Sequence, residues 1–185
     1  MLNKLLVLTL LLGSGTAFAQ VAPSSKGGNE SLSVGGDFSS FYSDYATATR
    51  IIGPGTFFDF NFTPKIGIEG EARWLHFNGT GGVTESDYLT GIRYRMWHLD
   101  KFSLNAKLLV GGVWVKYPYD IGNGSYFTYA PGIDAEYRLS KRFSARAGWE
   151  YQFLPSAPGL TGQPDNGLTP NGFSFGFSYK LIGKH

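Results

Sequence analysis

Acidic and basic side chains recur at every second position along several stretches of this chain. Glu69, Glu71 and Arg73 share one parity, as do Arg93 and Arg95, then Asp134, Glu136 and Arg138, then Arg146 and Glu150, while Lys107 stands in a stretch of its own. Carboxylates so placed could perform general acid–base chemistry if their surroundings drove their pKa values apart. The acidic runs lie among Arg and Lys residues, however, and a carboxylate next to a guanidinium is held ionised. Structural ion pairing is therefore the preferred reading of these residues.

A second set mimics a nucleophilic triad. His76 lies across a short loop from Ser86 and Asp87, which supplies the residue types of base, nucleophile and orienter. Ser86 and Asp87 are adjacent, so on an extended chain they point to opposite faces and cannot serve one site. His98 and His185 have no nucleophile beside them. The chain has no Cys, no paired His and no acidic loop of calcium-binding spacing, so neither a metal nor a cofactor is expected, and no catalytic residue is assigned.

A repeat of two is the signature of a strand with two unlike faces. It is clearest from Gly132 to Phe153, where Ile133, Ala135, Tyr137 and Leu139 oppose Asp134, Glu136 and Arg138. Beyond a turn at Ser140-Lys141-Arg142, Phe143, Ala145, Ala147, Trp149, Tyr151 and Phe153 oppose Ser144, Arg146, Gly148, Glu150 and Gln152. The same pattern predicts strands over 31–42, 56–63, 66–77, 84–96 and 102–115, a sixth leading into the hairpin, and an eighth over 171–181. Gly53-Pro54-Gly55 reads as part of a loop, and His98 to Lys101 as a turn. Short turns near 64, 99 and 141 alternate with longer connections near 48, 80, 120 and 162. The expected fold is all-β: an eight-stranded antiparallel up-and-down barrel over residues 31–185.

Lys4, the run Leu5 to Leu12 and Ala17-Phe18-Ala19 have the layout of a secretory signal over residues 1–19, followed by a polar tail over 20–30. The apolar run is too short to cross about 30 Å of hydrocarbon as a helix. The formal charge of +2 over 185 residues gives no reason to expect a nucleic-acid partner.

Aromatic residues make up 16% of the chain and charged residues also 16%, a balance that suggests the apolar faces meet something other than water. An eight-stranded barrel has an interior only just wide enough for its own side chains, so this many rings must point outward. The charged faces must then point inward, because each Arg or Lys turned to lipid costs roughly 2–4 kcal/mol at the midplane. In this arrangement Trp149 touches lipid and Gln152 faces the lumen.

With alternating short and long connections, the stretch AEYRLSKRFSARAGWEYQF resembles the turn-crossing hairpins of the small eight-stranded outer-membrane β-barrel family, that of OmpX and of the OmpA transmembrane domain. In the last strand Ser174, Gly176, Tyr179 and Leu181 are similar to the family's C-terminal sorting signal, although Leu181 stands where the family usually has Phe and residues 182–185 trail behind it. The resemblance implies a cell outer-membrane location reached through the periplasm and recognition by the outer-membrane assembly machinery. It also implies contact with outer-membrane lipid and lipopolysaccharide, a monomeric state, short turns on the periplasmic side and a structural or surface-interaction role. Two functional alternatives stay open at this point, a small passive pore and an enzyme that modifies lipid A, and a soluble two-sheet binding sandwich, which could hold more rings between its layers, stays open as the architectural outlier.

Overall fold

The computed structural model of the protein describes residues 30–44, 50–77, 82–116, 123–157 and 167–183. The expected signal segment and all but the last residue of the expected tail lie outside these. Eight strands follow one another: β1 (Ser31–Tyr42), β2 (Arg50–Asn61), β3 (Ile66–His76), β4 (Thr84–Leu99), β5 (Phe102–Lys116), β6 (Gly124–Arg138), β7 (Phe143–Tyr151) and β8 (Asn171–Ile182). Each pairs antiparallel with the next, and β8 returns to pair with β1, closing the barrel. Closure leaves no sheet edge, which a chain surrounded by hydrocarbon requires.

Two of the three short turns use one device. Thr63 Oγ1 accepts hydrogen bonds from the amides of Lys65 (3.3 Å) and Ile66 (2.9 Å), and Ser140 Oγ accepts from those of Arg142 (3.3 Å) and Phe143 (3.1 Å). The hydroxyl satisfies the turn's amides and so fixes the register of both arms. The third turn, between β4 and β5, places Asp100 in the left-handed region at φ 48°, where Asp is tolerated.

Three sequence expectations are corrected. Gly53-Pro54-Gly55 lies within β2, not in a loop. The β2–β3 ladder skips Gly53 and Pro54 between Ile52↔His76 and Gly55↔Arg73, where proline has no N–H to give. β7 ends at Tyr151 rather than Phe153, because Pro131 interrupts the β6–β7 ladder between Gly132↔Glu150 and the isolated bridge Tyr129↔Phe153. β4 runs on to Leu99 through a bulge between Arg95 and Trp97. That extra residue lets Met96 and Trp97 both face outward and swings His98 to within 2.9 Å of Ser103 Oγ.

The faces sort as the alternation requires. Ile92, Leu108, Ile133 and Phe175 are exposed on the outside, while Glu69, Arg93, Asp134 and Glu150 are buried inside. On adjacent strands of the outer face, Trp74, Tyr88 and Trp114 stack edge to face, with centroids 6.3 and 5.4 Å apart, and the Trp74 indole donates to the Tyr88 hydroxyl at 3.2 Å. Such a row suits a membrane interface, where a ring is apolar on one side and wet on the other.

Candidate functional site

The lumen holds the chemistry, and its cross-strand neighbours are at first sight unfavourable. Asp59 sits directly opposite Glu69 on β2 and β3, and Arg93 directly opposite Lys107 on β4 and β5. Like charges side by side repel. The repulsion is offset because each side chain finds its opposite across the barrel or on the diagonal.

Toward the short-turn end, Arg93 reaches Glu69 (3.2 Å), Asp134 (2.8 Å) and Glu136 (2.6 Å). Arg146, from β7, spans the lumen to Glu69 (2.5 Å) and Asp59 (3.4 Å) and also approaches Asp134 (3.5 Å). Toward the loop end, Arg73 pairs with Glu150 across the lumen and with Glu71 (3.0 Å) and Asp87 (3.7 Å). Lys107 joins the two groups by contacting Glu71, Glu69 (3.1 Å) and Glu150 (3.1 Å). All these residues except Glu136 are almost wholly hidden from solvent.

Two aromatic side chains complete this layer. The Arg73 guanidinium lies 4.6 Å from the Phe41 ring centre and that of Arg146 lies 4.2 Å from Phe57, within cation–π range. The Phe57 ring occupies the space above Gly35, where an added Cβ would fall 2.3 Å from its Cζ. Glycine at position 35 is therefore a packing requirement.

Above the ion pairs, the loop end of the lumen is mostly apolar, with the buried Glu85 set between Leu75 and Val115. Val83, Val113, Val115, Leu154, Ala157 and Leu168 form one buried cluster with Phe77 and Tyr126 against it, and Phe41, Ile51 and Leu75 form another. The segment after β7 supplies part of this plug, held by a Leu154↔Leu168 bridge. Asp44 ties it to the β1–β2 connection by accepting from the Thr169 amide (3.0 Å) and hydroxyl (2.9 Å).

Of the residues singled out from sequence, Glu69, Glu71, Arg73, Arg93, Lys107, Asp134, Glu136, Arg146 and Glu150 come together in this network. Two stand apart. Arg138 lies exposed at the barrel end, donating to the Asp100 carbonyl oxygen (3.0 Å) and approaching its carboxylate at 3.8 Å, and Arg95 has no ion pair within 4 Å among the described residues. The ion-pair set named from sequence leaves out five participants: Asp59, Asp87, Glu85, which hydrogen-bonds Asp87, Asn105, which donates to Asp134 (3.0 Å), and Gln152, which donates to Asp87 (3.0 Å). All five share the parity of the lumen face, which gives their direction but not their pairing.

The triad-like set is not assembled. His76 is exposed and Ser86 pairs with outward-facing Trp74, but Asp87 lies inside the barrel beside Arg73 and Gln152. In β8, Ser174 and Gly176 turn inward, whereas Tyr179 and Leu181 turn outward. The Tyr179 ring packs on Phe143 at 5.0 Å and its hydroxyl accepts from Arg142 at 2.8 Å.

Residues 5–180 match the family model described as the outer membrane protein beta-barrel domain. The chain belongs to this family. It is thus an outer-membrane β-barrel protein, and solved structures share its fold. Neisserial surface protein A superposes with a TM-score of 0.66 at 8% identity, over 81% of this chain and 97% of its own. OprG of Pseudomonas aeruginosa gives 0.57 at 14%, over 84% and 98%. Ail, the attachment invasion locus protein of Yersinia pestis, gives 0.55 at 19%, over 83% and 99%. A comparison with curated protein sequences returned no significant match.

Proposed function

We propose that this protein is a non-enzymatic, sealed outer-membrane scaffold that holds its four long connections at the cell surface, for envelope integrity or surface contact. The observation that carries the reading is the filled lumen. Cross-barrel ion pairs occupy its middle and an apolar cluster occupies its loop end, with Val113 and Leu154 fully buried. A passive pore would require both layers to part.

In this reading residues 1–19 direct export through the periplasm and the short turns face the periplasm. The protein is a monomer that meets lipid and lipopolysaccharide through its outward rings. Ser174, Gly176, Tyr179 and Leu181 present the last strand to the outer-membrane assembly machinery.

For the enzymatic alternative, modification of lipid A, the triad-like residues are not brought together: His76 and Ser86 are on the lipid face and Asp87 is behind the wall. Mass spectrometry of lipid A from cells with and without the protein tests this point. The scaffold reading predicts identical spectra, and a changed acyl or phosphate pattern would replace it with the enzymatic one. Conductance measurements test the pore alternative.

A further inference from the structure

At the short-turn end the lumen opens into a basin of about 220 Å³. Its charges are unbalanced: seven Arg and Lys side chains line it against three acids. Two of these acids, Asp59 and Glu136, are taken up by Arg93, and the Asp100 carboxylate makes a long contact with Arg138. Arg95 and Lys180 have no ion pair within 4 Å among the described residues, and Arg95 Nε is buried with no hydrogen-bond partner. Lys180 lies in the field of Arg138 and Arg95, which repel it, and of Glu136, which attracts it without forming an ion pair. A half-enclosed, low-dielectric mouth concentrates such a field and draws in a counter-ion.

We propose that this basin binds a phosphate-bearing anion between Arg95 on β4 and Lys180 on β8. The form of the mouth favours phosphate. Donors surround it from several strands, with Ser33 on β1, Ser144 on β7 and Ser178 on β8 lining the same space as the cations. A tetrahedral group accepts from many directions at once, and a guanidinium can grip two of its oxygens. The phosphate can come from a lipid headgroup in the adjacent leaflet or from a soluble ion. The proposal does not depend on whether the barrel conducts.

The test uses the full mature chain, refolded in an amine-oxide detergent that carries no phosphate, with folding checked by the heat-dependent gel shift. Calorimetric titrations with inorganic phosphate and, separately, with dihexanoyl phosphatidylglycerol compare wild type, R95Q/K180Q and K65Q. Lys65 lies in a short turn at the same end of the barrel but does not line the basin. Loss of charge-assisted hydrogen bonds predicts saturable binding weakened about tenfold or more in R95Q/K180Q and unchanged in K65Q. Binding of phosphate alone identifies a soluble anion, and binding of the lipid alone, or tighter binding of it, identifies the headgroup. Absence of saturable binding to both probes overturns the site, as does equal affinity in R95Q/K180Q or equal weakening in K65Q. If the double variant does not fold, Lys180→Gln alone, at a half-buried position, carries the same comparison.

Discussion

Arg146 on β7 donates to Glu69 on β3 at 2.5 Å, across the full width of the lumen and over the face of Phe57. The two residues are separated by 77 positions in the sequence, so the pair forms only once the barrel has closed. Arg146→Ala would leave Glu69, Asp59 and Asp134 facing one another without this cation. Losing one partner of a buried pair costs roughly 3–5 kcal/mol. Equilibrium urea unfolding in lipid vesicles should register that loss. A change within about 1 kcal/mol, the range of exposed pairs, would mean that the lumen is hydrated.

Two adjacent glycines of β1 should respond differently to one extra methyl group. At Gly35 the new Cβ meets Phe57 Cζ at 2.3 Å and the Phe177 carbonyl oxygen at 2.6 Å, whereas at Gly36 the nearest atom is Gly55 O at 3.6 Å. Gly35→Ala should cost about 1–3 kcal/mol by overpacking. Gly36→Ala should be close to neutral in the same unfolding assay. Equal effects would place the Phe57 ring elsewhere.

The assignment of faces gives a further contrast. Leu108 is exposed in the middle of β5, next to inward Lys107, and Leu108→Arg should cost roughly 2–4 kcal/mol and impair stable insertion. From sequence alone, Gln152→Arg should be tolerated because Gln152 faces the lumen. In the structure Gln152 is fully buried between Asp87 and Glu150, so a longer cation there gains two carboxylate neighbours but must displace packing. Gln152→Arg should therefore fold with a penalty of about 1–3 kcal/mol. The heat-dependent gel shift separates the two variants, and similar failure of both would contradict the inward direction of the charged face.

Much of this fold was legible because a period of two, hydroxyl-bearing turns and eight amphipathic segments each have a direct structural meaning. The charged lumen followed from the same parity, and the lapses have local causes. Phe41 and Phe57 are inward-facing aromatics, contrary to the rule that the rings face lipid, because a planar side chain can lie flat beneath a guanidinium where an aliphatic one cannot. Gly53-Pro54-Gly55 carries loop chemistry, yet Pro54 lacks only an N–H that its ladder position leaves unused. The bulge after Arg95 shifts parity by one, so no strict alternation could place His98. Partners such as Arg146 and Glu69 were named individually, but their pairing depends on barrel closure and has no signature in local sequence.

Sidedness has its own test. Protease added to intact cells should cleave within residues 155–170, in the longest connection, and should spare the turn around Lys141. Permeabilised cells should expose both. Cleavage near Lys141 in intact cells would invert the barrel.

The central claim is that the lumen is sealed by ion pairs and an apolar cluster. Single-channel recording of the refolded wild-type protein in a planar bilayer tests it most directly. A sealed barrel predicts insertion, verified by the gel shift of protein recovered from the same vesicles, with no discrete current steps. Reproducible, ohmic steps from the wild-type protein would contradict the sealed lumen and identify the protein as a small pore.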